Sequence, residues 1–187
     1  MKDMSVIVVI QGSLNKDSKT ALIIDEVVKI LKEKNINHEL IDLRKIKLEF
    51  CDGRKLEEYN QDLQNVYKLM ERAKAYIIGM PVYCYSVSGV LKNFLDITCG
   101  AMEGKYAGIV CNAGGVMSYL ASAELMKILS YEVQCLSIQP TVYGWGDDFS
   151  AEGGPTSGGK DGKIVNPKIL SKAKEMVEKL MSFTSKY

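Results

Sequence analysis

Apolar and polar residues alternate along this chain in two rhythms. Short apolar or alternating runs predict strands at 6–10, 38–43, 75–80, 106–111 and 133–142. The third run is nearly all apolar, as a strand buried on both faces of a parallel sheet should be. The second alternates, apolar at Leu40 with His, Glu and Asp between. Between the runs, apolar residues recur at helical spacing. Ile24, Val27, Val28 and Leu31 predict a helix at about 19–34, and Leu63, Val66, Tyr67, Met70 and Ala73 one at about 61–74. Val90, Leu91, Phe94 and Leu95 mark a third at 89–98, and a fourth is expected at about 117–129. A last helix starts from Pro167, a residue well suited to a first helical turn. Five strands alternating with five helices imply an α/β protein with a doubly wound, mostly parallel sheet.

In such sheets ligands bind beyond the carboxyl ends of the strands, which singles out the loops after strands one, three and four. The first, residues 12–20, reads Gly-Ser-Leu-Asn-Lys-Asp-Ser-Lys-Thr and opens a helix. Unpaired N–H groups and the helix dipole favour an anion there, and Ser13, Asn15, Ser18 and Thr20 add small donors. The loop has neither G-x-x-x-x-G-K-[ST] nor G-x-G-x-x-G, so a nucleoside triphosphate or a dinucleotide fits it poorly and a phosphomonoester fits well. The alternative is that Ser18 simply caps the helix. The second loop, 81–88, carries Pro81, Tyr83 and Tyr85, offering a flat ligand apolar faces with polar tips, unless the tyrosines pack on a neighbouring helix or subunit. The third, Asn112, Ala113, Gly114 and Gly115, lets a planar group approach the backbone, or is a tight turn needing positive φ.

Composition narrows the class. The 187 residues, with no compositional break, suit one domain over 1–187, with a glycine-rich loop at about 143–165. That loop holds Trp145, Asp147 and Asp148, and reads equally as a mobile lid over the site or as a disordered or subunit-contacting stretch. A formal net charge of +1 argues against a nucleic-acid surface, and no apolar run is long enough to span a membrane. The first residues show no signal-peptide pattern, so the cytoplasm is the expected location. Five cysteines without a C-x-x-C pair, and the single His38, offer no metal site; buried or half-buried thiols are expected. His38 reads as a surface residue at the sheet's inactive end, and with no G-x-S-x-G a hydrolase is unsupported.

Two stretches carry a family resemblance: Gly12-Ser13 with Ser18 and Thr20, and the longer block from Ala75 through Pro81-Val82-Tyr83 to Ser86-Val87-Ser88-Gly89-Val90-Leu91-Lys92-Asn93-Phe94-Leu95-Asp96. On these the chain resembles the NADPH-dependent FMN reductase family of the flavodoxin-like superfamily, close to its iron–sulfur flavoprotein branch. The resemblance implies a five-stranded parallel sheet of order 2-1-3-4-5 with helices on both faces. It implies a homodimer or homotetramer binding FMN non-covalently, with NADPH or NADH as donor. The ribityl phosphate would lie at Ser13, Asn15, Ser18, Lys19 and Thr20. The isoalloxazine ring would lie against Pro81, Val82, Tyr83, Cys84, Tyr85 and Ser86, and against Asn112, Gly114 and Gly115. The chain departs from the family where an arginine is common, having Asn15 and Lys16, which shifts phosphate binding toward backbone donors. It also lacks the cysteine cluster of the iron–sulfur branch: Cys51 alone cannot hold one.

The activity expected is hydride transfer from the nicotinamide to bound flavin, then on to free flavin, a quinone or another small acceptor, with no catalytic side chain and no metal. The alternative is a flavodoxin-like electron carrier without its own substrate. Such carriers are strongly acidic, which this chain is not.

Overall fold

The computed structural model describes residues 6–150 and 162–184. Its sheet is built from β1 (Val6–Gln11), β2 (His38–Asp42), β3 (Ala73–Tyr83), β5 (Tyr106–Asn112) and β6 (Leu136–Gly144). A two-residue strand, β4 (Ser86–Val87), folds back on β3. The order is β2-β1-β3-β5-β6, with every pairing along this path parallel. Leaving out the short hairpin strand, this is the order 2-1-3-4-5 of the flavodoxin-like folds.

Burial follows the pleat. Val6, Val8 and Ile10 of β1, and Tyr76, Ile78 and Met80 of β3, enter one core layer. Ile7 and Val9, with Ala75 and Ile77, enter the other. Helices α2 (Gln61–Glu71), α3 (Gly89–Thr98) and α4 (Ser122–Val133) cover the first face; α1 (Lys19–Glu33) and α5 (Pro167–Thr184) cover the second. Two glycines set how closely the second pair sits. A Cβ on Gly79 would stand 2.7 Å from Ile24 and 3.1 Å from Thr20, and one on Gly108 would stand 2.7 Å from Met176. Their absence lets α1 lie directly over the end of β3.

Several expectations need correction. Helix α2 stops at Glu71 instead of running to 74, and β3 begins at Ala73 and runs on to Tyr83. The fourth helix does not start at 117: residues Val116–Ala121 form a 3₁₀ turn, with no side-chain cap on Gly115, and the α-helix runs from Ser122 to Val133. Val133, expected to open the last strand, is a buried helix position, and that strand starts at Leu136. Leu40 of β2 is exposed, and Ile41 and Leu43 carry the burial instead, because the edge strand turns its first half to solvent. The thiols are not uniformly buried either: Cys51 and Cys84 are exposed, Cys99 is half-buried, and only Cys111 and Cys135 are buried. His38 lies at the amino end of β2, half-buried, with its Nδ1 2.8 Å from the Ile36 carbonyl. No helix among the described residues is long and apolar enough to cross a membrane.

Candidate functional site

The carboxyl end of β1 opens into a loop held partly by its own side chains and partly by the strands beneath it. Gly12 N donates to the Gly79 carbonyl at 2.9 Å, and a Cβ on Gly12 would stand only 2.5 Å from that oxygen, so glycine is required there. Asn15 N donates to Ser13 Oγ at 3.3 Å, and Asp17 N to Asn15 Oδ1 at 2.9 Å. Ser18 is the N-cap of α1: its Oγ accepts from Ala21 N at 3.1 Å. The capping alternative for Ser18 is therefore realised, and it leaves the cap beside the helix end that attracts anions. No acidic residue occupies the first turn of α1. Ser13, Ser18 and Thr20 are buried polar side chains.

Opposite this loop stands the end of β3. Pro81 pairs with Asn112 within the sheet and is buried. Tyr83, Cys84, Tyr85 and Ser86 form a two-residue hairpin turn in which Cys84 and Tyr85 have φ of 50° and 59°. Both central residues in the left-handed region make a type I′ turn, normally reserved for Asn and Gly. Tyr83 and Tyr85 are both exposed, with most of each ring open to solvent.

The third loop is tied to its neighbours. Ala113 N donates to the Gly144 carbonyl at 3.1 Å, and the Tyr143 hydroxyl donates to the Gly115 carbonyl. Gly114 and Gly115 do not have positive φ, so the tight-turn alternative fails; Gly115 is extended at φ −136°. A Cβ on either would meet nothing within 4 Å. The two glycines face open space.

These loops share one depression of about 310 Å³, lined by Ser13, Asn15, Asp17, Ser18, Lys19, Thr20, Pro81, Val82, Tyr83, Asn112, Ala113 and Gly114. Ten of the fourteen residues singled out from the sequence meet here. Cys84, Tyr85 and Gly115 line an adjoining groove of about 530 Å³, which also includes Val82, Gly114, Met117 and Trp145. Ser86 lines neither and belongs to β4. Asp17, a carboxylate within the anion loop, was not expected among the lining residues. Lys19 Nζ stands 5.3 Å over the Phe149 ring.

Asn112 Oδ1 is buried without a hydrogen-bond partner, on a side chain that lines the depression. An unpaired buried acceptor costs of order 1–3 kcal/mol unless a ligand donor meets it. Of the glycine-rich segment expected at 143–165, residues 151–161 lie outside the described residues. The flanks are stapled together. The buried Asp148 carboxylate accepts from Trp145 N at 2.9 Å and from Asn166 Nδ2 at 2.6 Å, and Ser150 N donates to the Lys163 carbonyl at 2.8 Å.

Sequence reasoning missed the residues beneath the anion loop. The buried Gln11 and Asp42 form a polar cluster at its root with Arg44, which reaches in from the surface. The available signal was a single polar residue ending the apolar run of β1.

The family model for NADPH-dependent FMN reductases matches residues 5–149. The NAD(P)H-dependent FAD/FMN reductase of Geobacillus thermodenitrificans is 28% identical over 162 residues, covering 85% of this chain and 83% of that protein. The FMN-dependent NADPH-azoreductase of Staphylococcus saprophyticus is 28% identical over 126 residues, covering 65% of this chain and 67% of that protein. Among solved structures, the flavoenzyme NAD(P)H:(acceptor) oxidoreductase FerB from Paracoccus denitrificans superposes with a TM-score of 0.74 over 97% of this chain and 98% of its own, at 19% identity. That last likeness concerns the fold.

Proposed function

The chain belongs to the NADPH-dependent FMN reductase family, and we propose that it is a single-domain NAD(P)H-dependent FMN enzyme whose cofactor occupies the depression between loops 12–20, 81–86 and 112–115. One observation carries the assignment of the site. An anion loop at a helix N-terminus, a buried acceptor without a partner and a pair of glycines facing open space all line a single depression and its adjoining groove. FMN has the matching parts: a terminal phosphate, and a flat ring with a polar edge carrying one N–H donor. When bound, it supplies the hydride-accepting ring.

In this reading Ser13, Asn15, Ser18, Lys19 and Thr20 hold the phosphate, with the dipole of α1 adding to the attraction. Asn112 Oδ1 accepts from the ring's polar edge, which relieves its unpaired state. Gly114 and Gly115 keep that wall free of side chains, and Pro81, Val82 and Tyr83 form the other wall. Cys84 and Tyr85 line the outer groove, where the nicotinamide and then the acceptor approach, and Trp145 stands at its far side. No side chain serves as acid or base; the protein binds, orients and excludes water. For the acceptor we favour free flavin, a quinone or another small molecule, since the groove is open and rimmed by aromatic residues. Val116, Met117, Tyr119 and Leu120 form an exposed apolar turn beside it, which favours a homodimer or homotetramer; sedimentation that finds only monomer rejects this.

The test is to release the bound ligand from purified protein and identify it by absorbance and mass. The next steps are anaerobic reduction by NADPH and by NADH, and then an acceptor screen. The expected result is FMN, bleached at a catalytic rate by a reduced nicotinamide. Colourless protein that takes up no added FMN overturns the reading.

A further inference from the structure

The first loop leaves β1 through Gln11, which is 1% exposed and sits in register between Asp42 of β2 and Gly79 of β3. Its side-chain amide does not point into either apolar layer but folds over the loop. Gln11 Nε2 donates to the Ser13 carbonyl at 2.9 Å and to Asp42 Oδ1 at 3.2 Å, while Gln11 Oε1 accepts from Ser13 N. One primary amide thus reads both backbone groups of Ser13, as a neighbouring strand would. The amide's orientation follows from its partners: flipped, its oxygen would face a carbonyl and a carboxylate.

Asp42 is anchored in turn. Arg44 Nε and Nη2 donate to its two carboxylate oxygens at 2.9 and 2.7 Å, and Arg44 N donates to Oδ1 at 3.1 Å. Burial raises the Asp42 carboxyl, but the Arg44 bonds outweigh it and hold it below the usual carboxylate range. The carboxylate is therefore a charged, fixed acceptor. A guanidinium on the edge strand holds it, it holds the Gln11 amide, and the amide holds Ser13. Beyond Ser13 the loop continues by its own bonds through Asn15 to Asp17.

We propose that the relay Arg44–Asp42–Gln11, buried at Gln11 and Asp42 and closed from the surface by Arg44, positions the anion loop, so that Gln11, which touches no ligand, sets the affinity of the site for the phosphate of its cofactor. Without the relay the Ser13 backbone gains freedom, and each bound phosphate must order it anew. The ring end of the pocket, built from β3, β4 and β5, shares none of these bonds. Loss of Gln11 should therefore penalise a phosphorylated flavin and spare its unphosphorylated counterpart.

This rests on the FMN reading above, and the experiment separates the two. Dissociation constants for FMN and riboflavin are measured by fluorescence quenching on apoprotein of wild type, Gln11→Met, Asp42→Asn and Asp42→Leu, with melting temperatures recorded alongside. Gln11→Met should weaken FMN at least tenfold and leave riboflavin within twofold. Asp42→Leu, which removes the same clamp from the β2 side, should do likewise, and it carries the test if Gln11→Met does not fold. Asp42→Asn keeps an oxygen for the Gln11 amide and should hold the FMN preference within threefold. The proposal is overturned if Gln11→Met and Asp42→Leu keep the wild-type ratio of the two affinities, or if both ligands weaken alike, which marks a merely structural role. Wild-type protein that binds FMN and riboflavin equally overturns the phosphate reading itself, and the proposal with it.

Discussion

At the scale of single residues, the turn at Cys84 and Tyr85 breaks a local rule. Both have left-handed φ, at 50° and 59°, where each side chain costs about 1–2 kcal/mol relative to glycine. A type I′ hairpin of this kind is served by Asn-Gly. The double substitution Cys84→Asn, Tyr85→Gly should therefore stabilise the apoprotein by roughly 1–2 kcal/mol, seen as a melting temperature raised by about 2–8 °C for a chain of this size. The same change removes an aromatic rim from the outer groove, so affinity for flavin should fall. A melting temperature that stays put would mean the turn is not strained. The sequence displayed the tyrosines but not the strain, because φ is decided by where β4, directly after the turn, docks on β3. Gln11 was hidden for a related reason. A polar residue ending a strand looks like a boundary, and only the register with Asp42 makes it a clamp.

At the scale of elements, the resemblance block Ser88–Asp96 has a second task besides covering the sheet. Helix α3 presents Asn93 to the loop between β2 and α2. Asn93 Nδ2 donates to the Glu49 carbonyl at 2.8 Å, and Cys51 N donates to Asn93 Oδ1 at 2.9 Å. Further along, Glu49 accepts from Asn60 N and from Arg54, whose guanidinium stacks 4.2 Å over Tyr59. Two bonds from one side chain thus join the loop to the body, each worth about 1 kcal/mol. Asn93→Ala should speed tryptic cleavage after Arg54 by about tenfold or more, because the loop opens locally, while the melting temperature falls by only a few degrees. Unchanged cleavage would show that the loop is held elsewhere. Elements of this kind differ in how well the sequence announces them. Helix α3, with apolar residues recurring at 90, 91, 94 and 95, has the bounds 89–98 expected of it; Ser88 Oγ caps Leu91 N at 3.4 Å. The start of α4 is not, because the apolar residues of 116–120 recur as if on a helix face yet stand in solvent. Periodicity reports a face that wants covering, and cannot say whether this chain covers it.

At the scale of the whole molecule, the five thiols run from solvent into the core layer beneath α2, α3 and α4, and so test that side of the fold in one measurement. Cys51 and Cys84 are exposed, one on the loop clipped by Asn93 and the other on the strained turn. Cys99, at the end of α3, is half-buried, and burial raises its thiol above the ordinary value. Cys111 in β5 and Cys135 before β6 are buried, and burial pushes each up to about 12. Thiolate is the reactive form, so burial slows Cys99, Cys111 and Cys135 both by limiting access and by disfavouring ionisation. With a disulfide reagent at pH 8, native apoprotein should titrate two groups quickly and a third slowly. The remaining two should react only through global unfolding, at a rate suppressed by roughly 10³-fold or more for a domain of ordinary stability. Denatured protein should titrate all five. Flavin bound in the proposed site should slow the reaction of Cys84, which lines the adjoining groove, and leave that of Cys51 unchanged. Rapid reaction of four or five groups in native protein would contradict the packing of β5 and β6 against α4. Equal protection of Cys51 and Cys84 by flavin would instead leave that packing intact and move the ligand away from the Cys84 turn.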